Sequence, residues 1–233
     1  MRVREARPED AAQMGHVFVD SYFAANRGIV SPADLAGRSY AQSEAAWLRG
    51  MREIAAARAA RAAGATLSLQ ERRTAETVFY VAEVGAPGGI EGTGAGEIAG
   101  VAVTGPAMLE CLESTVPPRW LRGAGEVFAL YVSPGRQRRG VGRELLRAAA
   151  AHHTLAERKR LIVGALAAAD APGFYAAMGG RLIGRCAYPD EDGMALDGVV
   201  FGWLLPAPEK SRISRGDRSG VYATALRTRL SKT

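Results

Sequence analysis

Residues 127–132 are six consecutive apolar positions rich in β-branched, aromatic and aliphatic side chains, and Ser133-Pro134-Gly135 stops the run. Proline has no N–H to give to a sheet ladder, so the pattern predicts a strand that ends there. Beyond it the period changes. Val141, Leu145, Leu146 and Ala149 recur at helical spacing, with Arg143, Glu144 and Arg147 on the other faces, which predicts a helix starting near Gly140. Arg160 and the apolar residues 161–165 read as another, buried strand, so strand, helix and strand follow in the order of a parallel crossover.

Upstream, residues 3–6 begin an apolar-polar alternation, and Arg7-Pro8-Glu9-Asp10 opens a helix with proline in its first turn and acids at its positive end. Met14, Val17, Phe18 and Tyr22 give that helix a buried stripe to about residue 24, and His16 falls off the stripe as a surface or boundary residue. Ser31-Pro32-Ala33-Asp34 can cap a second helical region, interrupted at Gly37 and running to about residue 63. Its largest apolar group, Trp47, is expected in the core, although Trp47 and Tyr40 could also contact substrate. Residues 64–76 show no clear period and read as an insertion or connection.

Residues 77–84 and 97–104 read as a hairpin around a glycine-rich loop. That loop has no following Lys-Ser/Thr and precedes a strand, so it does not have the context of a phosphate-binding loop. Residues 106–123 are irregular, with Met108, Leu109, Leu112 and Trp120 as candidates for lining a pocket. Residues 170–180 form a short helix closed by glycines, and 181–188 and 198–205 are two last strands around a turn that holds Asp190, Glu191, Asp192 and Asp197. His152 and His153 lie at the end of the central helix, where a cation is favoured, and read as C-terminal cap residues.

The chain of 233 residues carries a formal charge of +6, which raises nucleic acid as a partner until its placement is examined. Residues 207–233 hold seven cations against Glu209 and Asp217, so residues 1–206 are nearly neutral. The tail lacks dense aromatic interleaving, which favours a solvated extension over a nucleic-acid-binding segment. No run reaches the roughly 18 apolar residues of a membrane span, and the N-terminus lacks the order of a signal peptide, so a cytoplasmic protein is expected. Cys111 and Cys186 show no metal spacing and are expected as free thiols, with no metal site.

Chemistry concentrates at the start of the central helix. A helix N-terminus leaves backbone N–H groups unpaired and carries partial positive charge, and Gly140 and Gly142 keep it clear of side chains. Gln137, Arg138 and Arg139 add donors and two cations, a set that suits a pyrophosphate. The hexapeptide Gln137-Arg138-Arg139-Gly140-Val141-Gly142 resembles the Q/R-x-x-G-x-G/A acyl-CoA motif of the GCN5-related N-acetyltransferases (GNAT). Two further stretches resemble the same superfamily. Arg4, Ala6 and Asp10 fit its R-x-A-x-x-x-D opening, and Ala171, Phe174, Tyr175 and Gly179 fit its A-x-x-F/L-Y-x-x-x-G-F segment, with departures at Gly180 and Ala168.

The resemblance spans about residues 2–205 and implies an α/β fold, a central mixed sheet of about seven strands flanked by helices, in a domain over 1–206 followed by a basic extension over 207–233. It implies acetyl transfer from acetyl-CoA to the primary amine of a small molecule or peptide, by direct attack in a ternary complex. Gln137, Arg138, Arg139, Gly140, Val141, Gly142 and Phe174 would hold the cofactor, together with Tyr131 or Val132 where the parallel strands splay and a backbone N–H meets the oxyanion. Glu126 corresponds to a general base used by some members, against the alternative of a strand-edge glutamate in solvent. Tyr175 would protonate the leaving thiolate: a phenol near pKa 10 carries its proton at neutral pH, and passing it to a thiolate whose acid has a pKa near 8.5 is uphill by only about 1.5 units. The acidic turn suggests a cationic acceptor. A non-catalytic acyl-CoA sensor, a nucleic-acid-associated protein acting through the tail, and a homodimer remain open.

Overall fold

The computed structural model of the chain describes residues 1–85, 96–189, 193 and 195–208. The middle of the glycine-rich loop, Asp190, Glu191 and Asp192 of the acidic turn, and the basic tail beyond Pro208 lie outside the described residues. The described residues form one sheet of eight strands: β1 (Arg2–Glu5), β2 (Val78–Val84), β3 (Glu97–Pro106), β4 (Glu113–Ser114), β5 (Gly125–Val132), β6 (Arg160–Leu166), β7 (Arg181–Pro189) and β8 (Ala195–Leu204). Their order across the sheet is β1-β2-β3-β5-β6-β8-β7-β4. Among the described residues only β5 and β6 pair in parallel, joined by the crossover the sequence predicts. The strand beyond the expected seven is β4, two residues that pair with β7 and carry no periodic signal of their own.

Helix α1 (Ala11–Asn26) runs two residues past its expected end near residue 24, and α2 (Pro32–Ala36) and α3 (Tyr40–Ala62) lie on either side of the interruption expected at Gly37. Ser31 caps α2 by accepting from the Asp34 N–H, and Ser39 caps α3 by accepting from the Gln42 N–H. The connection expected over 64–76 instead contains α4 (Leu69–Glu76), opened by a capping box in which Ser68 and Glu71 satisfy each other's backbone N–H. A short α5 (Pro118–Leu121) interrupts the irregular segment after β3, and α6 (Val141–Leu155) and α7 (Ala171–Ala177) complete the set.

The helices split between the two faces of the sheet. Met14 and Val17 of α1, with Trp47 and Met51 of α3, pack on Val81, Ile98 and Val101. Val141 and Leu145 of α6 cover Val78, Tyr80, Ala82 and Ala102 on the opposite face. Alternation along the strands makes this possible, since successive side chains of β2 and β3 point to opposite faces. Arg4 donates two hydrogen bonds to the Asp10 carboxylate, 2.7 and 2.9 Å, and ties β1 to the start of α1. The opening Arg and Asp of the sequence motif are therefore a structural clasp.

Candidate active site

Strands β5 and β6 pair only through Gly125 with Leu161, Glu126 with Ile162 and Val127 with Val163. Both continue beyond that seam, β5 to Val132 and β6 to Leu166, without pairing. Meanwhile β5 stays paired with β3 as far as Val132, after a register shift between Val103 and Thr104 that leaves Phe128 as the extra residue. Such a bulge bends the strand that carries it, so β5 follows β3 and a fork opens towards β6.

Ladder alternation decides which groups face the fork. The Ser133 N–H donates to the Ala99 carbonyl at 3.0 Å, so the next bonded pair along the ladder is Tyr131 with Val101. The backbone groups of Leu130 and Val132 point the other way, into the gap. The Val132 carbonyl there accepts from Ser21 Oγ at 2.8 Å and from Gln137 Nε2 at 3.2 Å. Of the two expected N–H donors, Val132 is the one turned to the fork, while Tyr131 contributes its ring. That ring stands edge-on to Phe18, centroids 4.9 Å apart, and burial pushes its phenol up to about 12.

Directly after β5, the loop is built to present N–H groups. Arg138 and Gly140 have φ of 59° and 84°, while Arg139 between them keeps a negative φ. Alternating handedness turns successive N–H groups to one side, forming a concave anion nest. Gly140 is the N-cap of α6 and offers no side-chain cap, so the first N–H groups of that helix stay available. Arg138 and Arg139 are exposed and make no ion pair among the described residues, whereas Arg136 is committed to Glu97. Gln137 spends its side-chain donor on Val132 and thereby closes the loop onto the strand.

Helix α7 approaches the same point from the far side of the fork. Phe174 lies over Gly142, and Tyr175 is 5% exposed in the cluster of Val127, Leu146, Leu161 and Phe201. The Tyr175 hydroxyl makes no hydrogen bond among the described residues, and desolvation pushes its pKa well above the usual phenol range. Tyr175 is therefore a protonated phenol throughout the physiological range.

Glu126 is not a solvent-facing edge residue. It is 7% exposed, and its Oε2 accepts the backbone N–H of Met108 at 2.7 Å and of Leu109 at 2.8 Å. Burial raises its pKa, and the two N–H bonds oppose that shift. Its Oε1 accepts no hydrogen bond from the described residues and is not sealed in. One carboxylate oxygen thus anchors the segment after β3, and the other has no partner among the described residues.

Residues 75–179, which hold the fork, the nest and α7, match the family model described as acetyltransferase (GNAT) domain. No curated protein sequence matches the chain. Solved structures share the fold at low identity. An N-acetyltransferase from Staphylococcus aureus is 15% identical, with a TM-score of 0.54 over 88% of this chain and 98% of the other. The PaiA N-acetyltransferase of Thermoplasma acidophilum, solved with coenzyme A, is 12% identical, with a TM-score of 0.52 over 87% and 98%. A GNAT phosphinothricin acetyltransferase from Sinorhizobium meliloti, solved with acetyl-CoA, is 15% identical, with a TM-score of 0.53 over 94% and 95%.

Trp47 and Tyr40, singled out in the sequence, both pack against residues of α1. Trp47 packs between Phe18 and Phe79, and Tyr40 stacks on His16 while its hydroxyl donates to Asp20. His153 is not a helix cap. It is fully buried, its Nε2 lies 2.6 Å from Thr104 Oγ1, and its ring fills the place of a side chain at Gly125. The α6 stripe Val141, Leu145, Ala149 continues at the same spacing to His153, a signal in the sequence that the cap reading missed. The backbone donors of Met108 and Leu109 had no such signal.

Proposed function

We propose that this protein is an N-acetyltransferase that moves the acetyl group of acetyl-CoA to a primary amine by direct attack within a ternary complex. The GNAT domain would span residues 1–206, with 207–233 as a basic extension. The single observation that carries this reading is the fork between β5 and β6 opening beside an uncapped, glycine-cleared helix start. A fork exposes backbone donors along its inner edge, and the helix start binds anions, so an elongated molecule with a pyrophosphate at one end fits both.

Acetyl-CoA supplies an acyl group activated as a thioester. Gln137, Arg138, Arg139, Gly140, Val141 and Gly142 would hold its pyrophosphate, with Tyr131, Val132 and Phe174 along the fork. The Val132 N–H offers a hydrogen bond to the acyl oxygen. A primary amine is mostly protonated near neutral pH and needs a base, and Oε1 of Glu126 is free to take the proton directly or through a water. Burial raises the affinity of that carboxylate for a proton, which suits a base working closer to neutral pH. Tyr175 stays protonated and delivers a proton to the departing thiolate.

The acceptor is proposed to be a small-molecule or peptide amine, cationic if the acidic turn steers it. Thiol release from acetyl-CoA over a panel of small amines, aminoglycosides and peptide N-termini tests the reading, with Tyr175→Phe alongside. Thiol release that depends on an amine supports it. Tight acetyl-CoA binding without turnover on any amine would favour a sensor, and turnover on neutral or anionic acceptors alone would remove the cationic preference.

A further inference from the structure

Glu126 is held from both of its ends. Its carboxylate binds the N–H groups of Met108 and Leu109, and its backbone carbonyl accepts a hydrogen bond from Thr104 Oγ1 at 2.7 Å. Thr104 Oγ1 in turn lies 2.6 Å from Nε2 of His153, and both residues are 0% exposed. A threonine hydroxyl has one proton, here given to the carbonyl, so the imidazole must donate to the hydroxyl oxygen. That fixes His153 as the neutral tautomer with its proton on Nε2. Its Nδ1 is buried without a partner.

An unpartnered ring nitrogen in the core carries a desolvation cost that an apolar side chain would avoid. What the histidine adds is the bond to Thr104. The relay also occupies a particular place. Thr104 stands opposite Val127, beside the register shift at Phe128 and at the last residue pair before β5 leaves β6. Gly125 seats the imidazole, because a Cβ there would collide with the ring. Helix α6, strand β3 and strand β5 are thus locked together at the base of the fork. Burial and the charges of His152 and Arg158 hold the imidazole pKa down to about 3, so the donor geometry persists across any assay range.

We infer that His153 and Thr104 are positioning residues: through the Glu126 carbonyl they fix where β5 parts from β6, and so where the Glu126 carboxylate meets the acceptor. The inference rests on the proposed role of Glu126 as base. Small displacements of a catalytic group are costly, since a shift of about 1 Å can lower the rate by about 100-fold.

The test is steady-state kinetics of the full chain with acetyl-CoA and the fastest acceptor of the amine panel, for Thr104→Val, Thr104→Ser and Glu126→Gln. Thr104→Val keeps shape and loses both hydrogen bonds. It is expected to lower kcat about tenfold, to leave the KM for acetyl-CoA within about twofold, and to move the acidic limb of the kcat–pH profile. Thr104→Ser is expected to restore both. Wild-type kcat and an unmoved acidic limb in Thr104→Val, with turnover lost in Glu126→Gln, would overturn the positioning role while leaving the base intact. Full turnover with an unchanged acidic limb in Glu126→Gln would overturn the base and the inference with it. Where Thr104→Val does not fold, His153→Leu set against His153→Gln decides on the same readouts. The leucine should lose about tenfold in kcat and the glutamine, which still offers an N–H, should recover most of it.

Discussion

Phe174 of α7 lies across Gly142 of α6, so close that a Cβ on the glycine would stand 3.2 Å from the ring's Cζ and 3.6 Å from Leu130. The contact joins the helix bearing the proposed acid to the helix bearing the proposed phosphate site. A methyl group forces the ring to give by a few tenths of an ångström, and a branched side chain does not fit. Gly142→Val is expected to weaken acetyl-CoA binding by at least about tenfold, measured by calorimetry. Unchanged affinity would show that the helix start is not the cofactor's seat. Gly140 requires its glycine for another reason, its φ of 84°, which a β-branched residue rarely adopts.

Tyr175→Phe removes only a hydroxyl from a buried ring. Turnover is expected to fall about 10–100-fold with little change in acetyl-CoA affinity, since the ring contacts with Phe174 and Phe201 survive. The wild-type phenol is held well above its usual range, so deprotonation of Tyr175 should not appear as an alkaline limb below pH 10. Full turnover of the phenylalanine variant at every pH would exclude the acid role.

Glu126→Gln separates function from stability. An amide oxygen can still accept from Met108 and Leu109, and the buried charge disappears. The folded pKa of Glu126 is raised, so wild-type stability from this group is complete below the unfolded glutamate value and declines as pH rises through the folded one. The variant is therefore expected to melt at or above the wild-type temperature at pH 8, with the difference vanishing near pH 4. Its turnover should fall about 100-fold or more. Melting curves at the two pH values check the first part.

His153 gives the opposite slope. Its folded pKa is lowered to about 3 from an ordinary value of 6.5, so its neutral form contributes stability above about 6.5 that is lost as pH falls towards 3. Urea unfolding of wild type and His153→Leu at pH 7.5 and 4.5 should show a smaller acid loss in the variant. An equal loss in both would mean that the imidazole is not what the acid titrates.

The fork was legible in outline because each of its parts has a local cause. The apolar run over 127–132, the Pro-Gly stop and the i,i+4 stripe of α6 are visible one residue at a time. The capping box Ser68-Leu69-Gln70-Glu71 was equally visible, and it marks the helix in a stretch that otherwise reads as connection. The environment of Glu126 was not legible. Its partners are backbone N–H groups of an aperiodic segment, one of them at Leu109, a residue with φ of 39°. Main-chain donors look alike in every sequence, so only the folded path of residues 107–112 shows that the carboxylate is anchored. The same holds for Val132, whose outward N–H depends on a ladder register set 33 residues away at Ala99.

Three residue pairs are all that join the two halves of this sheet in its middle, and α6 spans the remainder from one face. A slender molecule laid in the fork would bond to both margins and complete the sheet as an additional strand does, so its binding energy would be spent partly on stiffening the scaffold. Amide protons of Leu130 and Val132 should then exchange with solvent far more slowly in the liganded protein than in the free one, while those of Tyr131, already paired with Val101, should change little.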